Sequence, residues 1–137
     1  MNGLHVWLRV GAEHYAVPIE SVRQVDELGL LSPVPGAGGA LLGLRNLQGQ
    51  VLPVFELARV LGIAADEPAR PRRVVVAEHD GRVAGLGVDE VTDVGLLEAE
   101  AEETDTACVG ATVLEGGRLV GIVDVDDLFS ALAGEAA

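Results

Sequence analysis

The chain has 137 residues, is 49% hydrophobic, and carries 22 acids against nine arginines and no lysine, a formal net charge of −13. That size predicts one compact domain, or two small ones sharing a core, and that composition excludes a disordered linker. The charge excludes sequence-independent nucleic-acid binding and disfavours an anionic membrane surface, while the lack of lysine excludes Schiff-base and P-loop lysine chemistry.

Taken in chain order, Leu4–Val10 reads as a strand ending at Gly11, and Tyr15-Ala16-Val17 returns as its hairpin partner. Pro18 at a helix-start position predicts one helical turn over Pro18–Val22, after which Val22–Leu28 alternates as a strand. Ser32–Gly39 is a loop. Leu41–Leu47 reads as a buried strand, Gln48-Gly49 as a turn and Gln50–Phe55 as the returning strand, in which Pro53 requires an edge or a bulge. Glu56–Leu61 is a short helix stopped by Gly62, and the proline-bearing segment Ala64–Pro71 is the expected boundary between two halves.

Beyond it, Arg73–Glu78 and Val83–Val88 flank a hairpin turn at His79-Asp80-Gly81, and Val91–Val94 follows as a strand. Glu98, Glu100, Glu102, Glu103 and Asp105 predict a solvated acidic loop. Val109–Leu114 and Arg118–Val123 flank the Glu115-Gly116-Gly117 turn, and Asp124 or Asp126 caps a terminal helix running to Leu132. Valine is the commonest residue, so the whole reads as all-β with short helices. The expected division is a first β-barrel over residues 1–68, a second over 69–124, and a helix and tail over 125–137.

The longest apolar runs, Val74–Ala77 and Leu119–Val123, are strand length and far short of a membrane span. No basic leader opens the chain, and the single Cys108 cannot form an internal disulfide, so the expected setting is cytoplasmic. The inventory for chemistry is poor. His5, His14 and His79 lie in different segments with no pair at metal-ligand spacing, and nothing local activates Cys108. Ser21, Ser32 and Ser130 sit in no nucleophile elbow, and Gly36–Gly39 lacks the lysine of a phosphate loop. Asp124-Val125-Asp126-Asp127 lacks the rest of a calcium loop, and Asp89-Glu90 would need a cleft to act as an acid–base pair. The sequence predicts no catalytic site, no metal and no cofactor.

Five runs in order resemble the CheW-like domain family of bacterial chemotaxis. They are Val6–Val10 with Tyr15–Ile19 and Val22-Arg23-Gln24-Val25; Pro33-Val34-Pro35; Gly43-Leu44-Arg45-Asn46-Leu47-Gln48-Gly49 with Pro53–Leu57; Gly85–Val94; and Gly117–Leu128. The resemblance implies two packed five-stranded SH3-like β-barrels with short helices and a groove between them. It also implies a non-enzymatic adaptor that couples a chemoreceptor signalling tip to the regulatory domain of a CheA-type histidine kinase. The tip would lie as a helical hairpin in the groove.

Carried over residue by residue, the resemblance points to Val22, Gln24, Gly43, Asn46, Leu47, Gln48 and Gly49 as partner-binding residues. Leu30, Leu31 and Val34 are weaker candidates for a kinase-facing surface. Where the family usually has glutamate and arginine, this chain has Gln24 and Gln48, which predicts a neutral amide pair in place of an ion pair. Three other readings stay open: a divergent relative that binds one partner only, the regulatory domain of a kinase, and a small-ligand sensor using the groove as a pocket.

Overall fold

A computed structural model describes residues 3–36, 39–63, 71–97 and 100–136. The described strands are β1 (Gly3–Val10), β2 (Glu13–Pro18), β3 (Val22–Glu27), β4 (Leu41–Leu47), β5 (Gln50–Glu56), β6 (Arg73–His79), β7 (Arg82–Val88), β8 (Glu90–Leu97), β9 (Glu102–Thr106), β10 (Val109–Glu115) and β11 (Arg118–Val123). Two α-helices, α1 (Leu57–Val60) and α2 (Val125–Ala136), and a 3-10 turn over Ile19–Ser21 complete the order. The fold is all-β, as the sequence predicts.

The strands form a six-stranded sheet in the order β8-β1-β2-β11-β10-β9 and a five-stranded sheet in the order β3-β6-β7-β5-β4. Two expectations are corrected here. The first sheet has six strands because the acidic segment is not all loop: Glu102–Thr106 pairs with β10 as an edge strand, where exposed charges guard against further pairing. The sheets also do not divide the chain at residue 68. β1 and β2 join β8–β11, while β6 and β7 join β3–β5. The cause is two parallel ladders, His14–Ala16 against Val120–Ile122 and Val54–Glu56 against Gly85–Gly87, which no hairpin signal reveals. The boundary expected within Ala64–Pro71 falls almost wholly outside the described residues.

Both faces of the central strands are buried, which explains runs such as Val74-Val75-Val76-Ala77. Alternate residues feed different cores. Val6, Leu8 and Val10 of β1, Val75 and Ala77 of β6, and Ala84, Leu86 and Val88 of β7 pack into one core shared by the two sheets. The opposite faces fill a core within each sheet: Ala16, Ala111, Val113, Val120 and Ile122 in the first, Leu52, Val54, Val74 and Val76 in the second. Leu128, Phe129 and Leu132 of α2 close the shared core. The helix starts where the Asp124 carboxylate accepts the Asp127 N–H at 3.1 Å, and it runs past Leu132 to Ala136. The short α1 ends as predicted: Gly62 adopts a φ of 73° and Ile63 N–H returns to Ala58 O, a Schellman closure.

Pro53 is not on an edge strand; it stands just before the parallel ladder to β7 begins at Val54. Leu41–Leu47, expected to be buried, is the edge strand β4, in which Gly43 alone is buried.

The interior of the second sheet is narrow. A Cβ on Gly85 would lie 2.9 Å from the methyls of both Val54 and Val74. Gly85→Ala should therefore cost about 1–3 kcal/mol in urea unfolding. Combined with Val74→Ala, it should cost less than the two substitutions summed, because the methyl removed makes room for the one added. Strict additivity would refute this account of the packing.

Candidate partner-binding surface

The predicted site residues fall on the two edges of the second sheet: Val22 and Gln24 on β3, and Gly43, Asn46, Leu47, Gln48 and Gly49 on the β4–β5 hairpin. The chain after β3 joins these edges. Leu28 N–H bonds to Arg72 O beside β6, and four residues later Ser32 exchanges both backbone hydrogen bonds with Leu44 of β4 at 2.8 Å. This crossing segment closes the sheet on itself.

Gly43 is explained by that closure. A Cβ there would sit 2.7 Å from Ser32 O and 3.0 Å from Leu31 Cβ, so the close approach is by the chain's own backbone. Leu47 is likewise structural in part, since it packs with Leu28 and Leu31 against the core of the second sheet. Asn46 accepts the Gly49 N–H through Oδ1 at 3.0 Å and so holds the turn. Gln48, at a φ of 51°, and Gly49 form its exposed tip.

Val22 and Gln24 do not share a face. A bulge between them places Val22 opposite Ala77, on the shared-core side, and Gln24 opposite Val76, on the inner side. Among the described residues no hydrogen bond joins Gln24 to Gln48. The ionic link across the closure is made by a residue that the motifs did not single out, Arg45. Opposite Leu52 on the inner face, it donates to Asp26 Oδ2 at 2.7 Å, to Leu28 O at 3.0 Å and to Glu27 O. Both Arg45 and Asp26 lie within those motifs or next to them, but only the crossing of residues 28–32 brings them together.

A second surface was also hidden in the sequence. Leu4 lies opposite Leu96, and buried Val6 opposite Val94, so all four side chains share one face of β1 and β8. Leu4, Val94 and Leu96 are nonetheless 46%, 51% and 59% exposed, because the shared core ends before the sheet edge does. In the other sheet, Val25 of the edge strand β3 stands opposite Val75 and is also exposed. The 3-10 turn between them touches both β1 and β6 and presents Ile19. Leu4, Val94 and Leu96 thus form an exposed apolar strip on one face of β1 and the edge strand β8.

The small-ligand reading expects its pocket in the groove between the barrels. An open cavity of about 670 Å³ lies along β2, β10 and β11, lined by residues that include Glu13, His14, Tyr15, Thr112 and Arg118. Tyr15 donates its hydroxyl to Glu13 there, and burial, then that bond, pushes its pKa up. His14 is pulled down, first by burial and then by Arg118 and Arg9.

Cys108 shows no activation. It is buried, and burial followed by the charges of Asp127 and Asp124 raises its thiol pKa. No helix among the described residues is long and apolar enough to cross a membrane.

Comparison with known proteins agrees with this architecture. A family model described as the CheW-like domain matches residues 5–133. "Chemotaxis protein CheW" of Rhizobium meliloti (strain 1021) is 31% identical over 137 residues, which cover 94% of this chain and 88% of that protein. Protein FrzA of Myxococcus xanthus is 35% identical over 83 residues, covering 61% of this chain and 52% of that one. The crystal structure of the scaffolding protein TtCheW from Thermoanaerobacter tengcongensis superposes with a TM-score of 0.83 at 26% identity, over 94% of this chain and 88% of that chain.

Two measurements check the chemistry of this surface. Arg45→Ala should lower unfolding free energy by about 2 kcal/mol, since it strands two backbone carbonyls. Asp26→Ala should cost less, because its carboxylate is partly solvated and both carbonyls keep their donor. Equal costs would show that the ion pair, not the backbone clamp, matters. Cys108 should resist thiol reagents at pH 7 in the folded chain and react once urea unfolds it; prompt modification of native protein would contradict the burial described.

Proposed function

This chain belongs to the CheW-like family of chemotaxis scaffold proteins, and we propose that within it the chain couples a chemoreceptor signalling tip to the regulatory domain of a CheA-type histidine kinase. The apolar strip of Leu4, Val94 and Leu96 carries the proposal. It offers a helical partner an apolar stripe along a sheet edge, the kind of surface that receives the apolar face of an amphipathic helix. Gln24 and Gln48, uncharged where the family usually has an acid and an arginine, bear on which receptor is chosen.

The kinase-facing surface is assigned to the crossing segment. Leu30 is 99% exposed there, held out by a backbone fixed at both ends, whereas Leu31 is drawn into the inner core. Neither role requires bond chemistry.

Co-elution of the purified chain with a receptor-tip fragment and with the kinase regulatory domain, separately and together, tests this reading. The expected result is binding to each and a ternary complex. Leu96→Glu should weaken tip binding at least tenfold and leave kinase binding unchanged, and Leu30→Glu should do the reverse. Failure of the parent chain to bind either partner from its own genome would overturn the coupling function.

A further inference from the structure

The third histidine has neighbours that the sequence order hides. His79 ends β6, Asp80 follows it at the hairpin turn, and Asp126 sits in the first turn of α2. His79 Nε2 lies 3.1 Å from Asp126 Oδ1 and 3.5 Å from Asp80 Oδ2, and one ligand atom from each residue falls within 4.8 Å of the others. We propose that these three side chains form a binding site for a first-row divalent transition metal of the zinc class, clasping the β6–β7 turn to the terminal helix.

The donor set selects the metal class. An imidazole nitrogen with two carboxylate oxygens suits zinc and its neighbours, whereas calcium and magnesium prefer oxygen alone. The spacing fits as well. Ligands about 2.0–2.2 Å from a metal stand roughly 3.0–3.5 Å from one another in tetrahedral or octahedral geometry.

Packing positions the histidine. The His79 ring packs on Phe129 of α2 with centroids 5.7 Å apart, and Asp126 stands in the first turn of the same helix. Asp80 takes a left-handed φ of 49°, a conformation that aspartate tolerates.

Charge points the same way. Two carboxylates converge on one imidazole nitrogen at the protein surface, which concentrates negative charge beside a nitrogen donor. The nearby acids of the helix start are already committed. Asp124 accepts from Asp127 N–H, and Asp127 accepts from Cys108 N–H at 3.0 Å. Arg82, opposite His79 in the hairpin, lies over the Phe129 ring at 5.4 Å and, among the described residues, pairs with neither carboxylate. A divalent cation would satisfy both carboxylates at once, and solvent would complete its coordination at this exposed site.

The test is titration of the tag-free full chain with Zn²⁺ by calorimetry, alongside Mg²⁺ and thermal melting. One Zn²⁺ per chain, no Mg²⁺ binding, and a melting temperature that rises to saturation are expected. His79→Gln and Asp126→Asn should each weaken zinc binding at least tenfold. Asp80→Asn, which keeps a residue type suited to the left-handed turn, should weaken it without disturbing the metal-free fold. His14→Gln should leave it unchanged. No zinc binding by the parent, or binding that survives both His79→Gln and Asp80→Asn, would overturn the site.

Discussion

The second sheet holds its shape because the chain leaving β3 crosses from one sheet edge to the other within a few residues. That crossing depends on one close approach, Ser32 backbone against Gly43, and on one side chain, Arg45, that gathers the carbonyls and the carboxylate at the turn-off point. Without it, β3 and β4 would be two unpaired edges of an open sheet, exposed to pairing with other chains. With it, the same two strands become rigid walls whose side chains can face a partner. The proposed partner surface therefore rests on a close backbone contact within the chain.

The shared core does for the pair of sheets what the crossing does for one of them. β1, β6 and β7 give alternate side chains to it and the remainder to the core of their own sheet, so no central strand has a free face. The sheets cannot slide without disturbing three packed regions at once. Such a body suits a scaffold, which holds partners at a fixed distance rather than moving between states. Among the described residues, large apolar side chains reach solvent at Leu4, Val94 and Leu96, at Leu30, at Ile19 and Val25, and at Val51, Leu114 and Leu119. These are the places where a partner gains most by covering them.

Much of this was legible in the residues. Hairpin turns at Gln48-Gly49 and Gly116-Gly117, the α1 stop at Gly62 and the aspartate-capped α2 are local features with local causes, and their positions follow from turn and cap chemistry. What the sequence hid was non-local. The parallel ladders that sort β1 and β2 away from β3–β5 have no turn signature, so the halves of the chain looked like separate barrels. Gly43, Leu47 and Asn46 stood out by motif, yet each also serves the fold, through a contact with Ser32, a place in the inner core and a bond to Gly49 respectively. The exposure of Leu4 and Leu96 was unreadable because the apolar alternation of β1 and β8 runs unchanged from buried Val6 to exposed Leu4 and on through Val94 to Leu96. Only the position of the sheet edge says which valine or leucine is left uncovered.

The first sheet has a consequence for how the molecule comes into being. Its ladder joins His14 of β2 to Val120 of β11, so the earliest hairpin to leave the ribosome gains β8 beside β1 first and completes its β2 side only when almost the last strand has emerged. Until then α2, which closes the shared core that holds Val6, Leu8 and Val17, is also missing. Pairings so distant along the chain make folding slow relative to local hairpins and leave intermediates with sticky surface. The acids concentrated in the second half, fifteen in residues 70–137, surround that waiting period with charge that keeps nascent chains apart.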